Sequence, residues 1–176
     1  MYARILVPVD GSQPSSAGLT EAIKIAKRQG SEIRLVHVVN DLVLDYGYGS
    51  AVFACDILGV LRKEGRTILD AAEITVRREG IKTDSVLLES LGEPAADFVL
   101  AQAKTWSADL IVMGTHGRRG VARLVMGSDA ERVVHSSTVP VLLVRGDAKS
   151  TMYGKTTSST SSLSITPLAG VSTPRI

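Results

Sequence analysis

The chain has 176 residues, 44% of them hydrophobic, enough for one domain with a core of its own and short for two. Lys and Arg number 20 against 18 Asp and Glu, a formal charge of +2, and no run of like charge marks a nucleic-acid or membrane surface. The lone cysteine, Cys55, excludes an intramolecular disulfide and a Cys-based zinc site, and fits a reducing cytoplasm.

Met1 to Arg4 lead straight into the apolar run Ile5 to Val9, too short for a signal peptide and lacking a cleavage region, so it reads as a first strand. No apolar run approaches the ~18 residues of a membrane span. Ser12 as N-cap, Pro14 in the first turn and Leu19, Ala22, Ile23 and Ala26 at helical spacing predict an amphipathic helix that stops at Gly30. A second strand follows over Ile33 to Val39. The segment Asp41 to Ala54, with Tyr46-Gly47-Tyr48-Gly49-Ser50, breaks the periodicity and reads as a mobile loop that could cover a ligand.

A long helix is expected from about Ile57 to Arg78, with Leu61, Ile68, Ala72 and Val76 inward, ending at Gly80. Val86 to Glu89 is the weakest strand signal and suits a sheet edge. After Glu93 and Pro94, the positions Ala96, Val99, Ala103 and Trp106 share one helical face. Strands at Leu110 to Met113 and Val141 to Val144 flank a last helix from near Ser128 to near His135. Four of the five strands are almost continuously apolar, as strands buried on both faces are. The βαβ alternation predicts a doubly wound parallel sheet with helices on both faces, whose ligands bind at the carboxyl ends of the strands. From Asp147 to Ile176 the chain turns to Ser, Thr, Gly and Pro, and a disordered tail is expected after a folded unit at 1–146.

The chemistry concentrates in one glycine pattern. Gly114 follows a strand, Gly117 comes three residues later, and Gly127-Ser128 opens the last helix after nine more, a GxxGx9GS arrangement. Glycine admits positive φ and close backbone approach, and N–H groups at a helix start point toward anions, so phosphates are the expected guests. Ser128 adds a hydroxyl while capping the helix, and Arg118 or Arg119 supplies charge from the rim. Asp129 repels polyphosphate unless a metal intervenes or the side chain points away. Pro8, Val9 and Asp10 end the first strand at the same sheet edge. Asp10 suits a ribose hydroxyl or a magnesium ion, and equally a helix cap. Val38 offers a base backbone groups and an apolar wall.

His116 is more often a solvated loop residue than a phosphate ligand. His37 reads as packed or at a sheet edge, and His135 sits where a helix C-terminus favours a cation. The three histidines have no metal-ligand spacing.

The segments Ile5 to Ser12, Leu35 to Val38, Ile111 to Gly117 and Gly127 to Val133 resemble those of universal stress proteins over roughly residues 1 to 145. The glycine pattern is similar to that of the family's ATP-binding branch. The resemblance implies strand order 3-2-1-4-5, adenine near Val38 and Met113, ribose near Asp10, and phosphates along Gly114, Gly117, Gly127 and Ser128. It also implies a homodimer through the last strand, here Pro140 to Val144. The chain departs from the resemblance at Asp129, where many ATP-binding relatives carry a neutral residue, and in the tail.

The expected ligand is therefore ATP, with or without magnesium, in a cytoplasmic stress-response regulator acting on an unidentified protein partner. Neither Walker A nor the GxGxxG dinucleotide fingerprint occurs, and no Ser-His-Asp or paired-carboxylate set assembles, so no catalytic residue is assigned. A slow ATPase or nucleotidyl-transfer enzyme using the same pocket, and a dimeric scaffold without ligand, are the competing readings.

Overall fold

A computed structural model describes residues 1–40, 51–90, 92–115 and 126–146, with backbone alone at 51–56. Strands β1 (Arg4–Pro8), β2 (Glu32–Asn40), β3 (Thr83–Ser90), β4 (Leu110–Gly114) and β5 (Val141–Val144) alternate with four helices. These are α1 (Gln13–Gln29), α2 (Ala51–Arg78), α3 (Ala95–Thr105) and α4 (Ser128–Ser136). The strands form one parallel sheet in the order β3-β2-β1-β4-β5, the topology expected from the sequence.

Apolar residues at successive positions of the central strands alternate between two cores. On one face Val7, Ile33, Leu35 and Val112 pack against Leu19, Ala22 and Ala26 of α1 and Leu69, Ala72 and Val76 of α2. On the other, Leu6, Val36 and Ile111 meet Ala96, Val99 and Ala103 of α3 and Ala130 and Val133 of α4. Each fully buried branched side chain contributes about 1.5–3 kcal/mol, so covering both faces of these short strands is what holds the sheet together.

The local signals at α1 act as read. Ser12 is the N-cap, its Oγ accepting the Ser15 N–H at 3.3 Å, and Gly30 closes the helix in the left-handed region at φ 71°. Elsewhere the boundaries move. β3 spans eight residues rather than four, in register from Ile33 opposite Thr83 to Asn40 opposite Ser90. It is an edge strand, and most of it is only half-buried, which explains its thin apolar signal. Helix α2 begins at Ala51, so the last residues of the loop expected over 41–54 are helical; 41–50 lie outside the described residues. Leu69, absent from the inward set expected, is as fully buried as Val76, while Leu61 and Ile68 are half-buried. Trp106 is the C-cap of α3 and packs, half-buried, against the same core as Ala96, Val99 and Ala103, with the Arg34 guanidinium 4.8 Å from its ring centroid. The tail from 147 to 176 lies outside the described residues.

Two glycines of α2 show how closely it docks. A Cβ on Gly65 would lie 2.6 Å from His37 Cδ2 and 2.8 Å from Leu87 Cδ1, whereas one on Gly59 meets nothing within 4 Å. Gly65→Ala should therefore lower the urea unfolding free energy by about 1–3 kcal/mol through overpacking. Gly59→Ala should raise it by up to about 1 kcal/mol through helix propensity alone. Equal effects of the two would show that α2 does not press on the sheet at Gly65.

Candidate functional site

In this strand order β1 lies between β2 and β4, with α1 and α2 on one face and α3 and α4 on the other. The connections leaving the carboxyl ends of these strands diverge, and a crevice opens between them. The cleft there has a volume of about 640 Å³, within the range of small-molecule sites.

Nine of the eleven residues named from the sequence line this cleft. Pro8, Val9 and Asp10 come from the end of β1, Val38 from β2, and Met113 and Gly114 from β4. Gly127, Ser128 and Asp129 come from the start of α4. Gly117 and Arg118 lie outside the described residues, as does His116.

The two described glycines of the motif do not use the left-handed backbone that glycine admits. Neither has a positive φ: Gly127 is extended at φ −66°, and Gly114 is not among the residues with left-handed backbone. Gly114 is glycine because α1 begins against it. A Cβ there would lie 2.5 Å from the carbonyl carbon and 2.7 Å from the carbonyl oxygen of Pro14, backbone atoms that cannot swing aside. Gly18 and Gly146 crowd the same junction, with a Cβ 3.1 Å from Met113 and 3.0 Å from Pro14 respectively. At the other end of the motif the Gly127 N–H donates to the Thr115 carbonyl at 2.9 Å, and the Thr115 N–H donates to Val144 at 3.0 Å. That bond ties the start of α4 to the end of β4 and commits the Gly127 N–H, while Ser128, Asp129 and Ala130 of the first turn border the cleft. They precede the first helical bond of α4, from Glu131 to Gly127 at 2.9 Å.

Ser128 does not cap α4 as expected. The N-cap is Gly127, without a side-chain cap bond, and Ser128 is the first helical residue with an exposed side chain. Its hydroxyl has no duty in the helix terminus, because the cap position falls one residue earlier than the sequence signal placed it.

Asp10 is not the cap of α1 either. Its Oδ1 accepts the Ser12 N–H at 2.9 Å and its own N–H donates to Ser15 Oγ at 3.2 Å, so it shapes the turn from β1 into α1 while lining the cleft. Asp129 Oδ1 accepts the Ala96 N–H at 3.2 Å. The N-cap of α3 is Pro94, which offers no side-chain acceptor, so a carboxylate from α4 caps α3 across the cleft wall. The neighbouring Arg132 pairs with Asp97 through two bonds of 2.7 and 2.9 Å, which raise the guanidinium pKa.

Sequence reasoning did not place His37, Leu61, Glu64 or the start of α3 at this site, yet all line the cleft. His37 is buried, with Nδ1 2.6 Å from the Val9 carbonyl oxygen; a carbonyl only accepts, so Nδ1 carries the proton. The Pro94 signal revealed that a helix starts there, but its approach to α4 depends on the sheet order. Among the described residues no group of three or more His, Cys, Asp and Glu side chains could hold a metal by itself. A magnesium ion at Asp10 would therefore need most of its ligands from elsewhere, such as phosphate oxygens and water. No helix among the described residues is long and apolar enough to cross a membrane.

A doubly wound α/β fold with a helix N-terminus opening on its switch-point crevice defines a class of small-ligand binding proteins. The model of the universal stress protein family matches residues 1–145, and the chain belongs to that family. Universal stress protein YxiE of Bacillus subtilis is 32% identical over 151 residues, covering 82% of this chain and all 100% of that relative. A crystal structure of a universal stress protein family member from Burkholderia pseudomallei aligns with a TM-score of 0.65 at 32% identity, over 81% of this chain and 96% of that one. The universal stress protein of Archaeoglobus fulgidus, solved in complex with dAMP, aligns with a TM-score of 0.57 at 26% identity, over 81% and 98% of the two chains.

The Gly114 contact carries its own expected outcome. Gly114→Ala should cost about 1–3 kcal/mol in chemical denaturation, because the added methyl meets α1 backbone. An unchanged midpoint would show that the junction with Pro14 is looser than the structure has it.

Proposed function

We propose that this protein binds an adenine nucleotide, ATP foremost, and acts as a nucleotide-dependent regulator in the stress response without a dedicated catalytic set. The observation that carries this reading is the α4 N-terminus: free amides at Ser128, Asp129 and Ala130, uncovered by any side-chain cap, facing a partly apolar cleft. In this reading the base lies between Val38 and Met113, and the ribose hydroxyls meet Asp10. The phosphates run along Gly114, Gly117 and Arg118 to the Gly127-Ser128 turn. The dAMP complex of the Archaeoglobus fulgidus relative supports an adenine nucleotide as ligand. The functional unit is residues 1–146, working in the cytoplasm on a protein partner, with 147–176 as an appended tail.

Denaturing the purified protein and identifying released nucleotide, followed by calorimetric titration, tests the reading. An adenine nucleotide should be recovered or should bind, and Ser128→Ala should weaken binding roughly tenfold by removing one hydrogen bond to a charged group. That variant leaves the helix cap untouched. Absence of any adenine-nucleotide binding would refute the reading.

We further propose that the protein forms a homodimer through Pro140 to Val144. β5 is an edge strand with every residue half-buried, so it presents both backbone groups and apolar surface to a second copy. Sedimentation equilibrium should give twice the 18.7 kDa chain mass, and a monomer at micromolar concentration would overturn the assignment.

A further inference from the structure

The cleft just assigned to an anion also carries carboxylates. Among its described lining residues are three carboxylates, Asp10, Glu64 and Asp129, and no lysine or arginine. Asp129 stands nearest the proposed phosphate position, being adjacent to Ser128 in the first turn of α4.

It is also held there. Its Oδ1 accepts the Ala96 N–H at 3.2 Å, and the N-terminal dipoles of both α3 and α4 favour a negative charge at that point. Turning the carboxylate away from the Ala96 N–H would uncap α3. The Arg132 guanidinium, one turn further along α4, interacts with the Asp129 carboxylate through space rather than by contact. Asp129 makes no ion pair among the described residues, and Arg132 bonds to Asp97 through Nε and Nη2.

We infer that Asp129 sets the charge the phosphate end of the cleft accepts. An adenine nucleotide enters with a phosphate group of low net charge, and a bare triphosphate is disfavoured. Two forms share that chemistry: a nucleoside monophosphate, and a polyphosphate that carries a divalent cation. The inference rests on the adenine-nucleotide reading and deepens it. A fixed carboxylate about 6–8 Å from an added phosphate charge, in a crevice of intermediate dielectric, lowers affinity roughly fivefold to tenfold per charge. The two additional charges of a triphosphate lie at unequal distances, so a difference on the order of tenfold or more is expected between AMP and metal-free ATP.

Calorimetric titrations of the full chain at constant ionic strength test this, with AMP, with ATP in EDTA, and with ATP in excess Mg2+. The proteins are the wild type, Asp129→Asn and Asp129→Glu. Asparagine keeps a carbonyl oxygen for the Ala96 N–H, so α3 stays capped while the charge is lost; glutamate keeps the charge. In the wild type, metal-free ATP should bind about tenfold or more weakly than the better of the other two ligands. Asp129→Asn should tighten metal-free ATP by roughly tenfold and AMP by less, shrinking the gap, and Asp129→Glu should preserve it.

If the favoured wild-type ligand is AMP, the low-charge form is the monophosphate; if it is ATP with Mg2+, it is the cation complex. Metal-free ATP binding the wild type as tightly as both others would overturn the inference, with or without usable variants. So would a gap that Asp129→Asn leaves unchanged. In either case the adenine-nucleotide reading stands. Failure of all three ligands to bind any of the proteins would instead remove that reading, and this inference with it.

Discussion

β1 pairs with β2 on one side and with β4 on the other, and most of the molecule follows from this placement. The helices that connect β1 to β2 and β2 to β3 cover one face, and those that connect β3 to β4 and β4 to β5 cover the other. β1 and β4 therefore send their chains to opposite faces at their carboxyl ends. No single loop can bridge that point, and the gap left over is the cleft. The turn after β1, the end of β2 and the start of α4 meet there although they are separated by up to 120 residues of sequence.

The junction of α1 with β4 and β5 shows how tightly the cleft wall is built. Pro14 starts α1 with its φ already restricted, and three glycines, Gly18, Gly114 and Gly146, let backbone approach backbone around it. That packing places Gly114 at the mouth of the cleft, so one glycine serves the contact between elements and borders the site as well. The Gly127 to Thr115 bond does the corresponding work at the far end of the glycine motif, tying α4 to the end of β4. Rigid borders of this kind keep the free amides of α4 aimed at one place, which lowers the ordering that a ligand must impose.

Electrostatics at the site combine two opposing fields. The helix termini favour negative charge, and carboxylates are already present in the cleft. Asp129 connects these by capping α3 from α4. Asp129 has its place as a helix cap, and the residue also borders the cleft. In the proposed reading, stability and ligand charge are thereby linked through one residue.

The sequence alone determined the strand and helix order, the location of the cleft at the strand ends, and nine residues on its wall. Continuous apolar runs, Ser12 with Pro14, and Gly30 are local signals, and the physics that reads them acts over a few residues. The family resemblance supplied the strand order, and the sheet bears it out. Boundaries were less legible. β3 was seen as four residues because an edge strand need not be apolar throughout, and α2 was started late because its first turn follows a glycine-rich segment. What only the tertiary structure decided were contacts between residues far apart in sequence. Pro14 explains Gly114, Thr115 occupies the Gly127 N–H, His37 lies under Gly65, and Ala96 holds Asp129. No pattern within one segment encodes these pairings, because each depends on two elements arriving at the same point of the sheet.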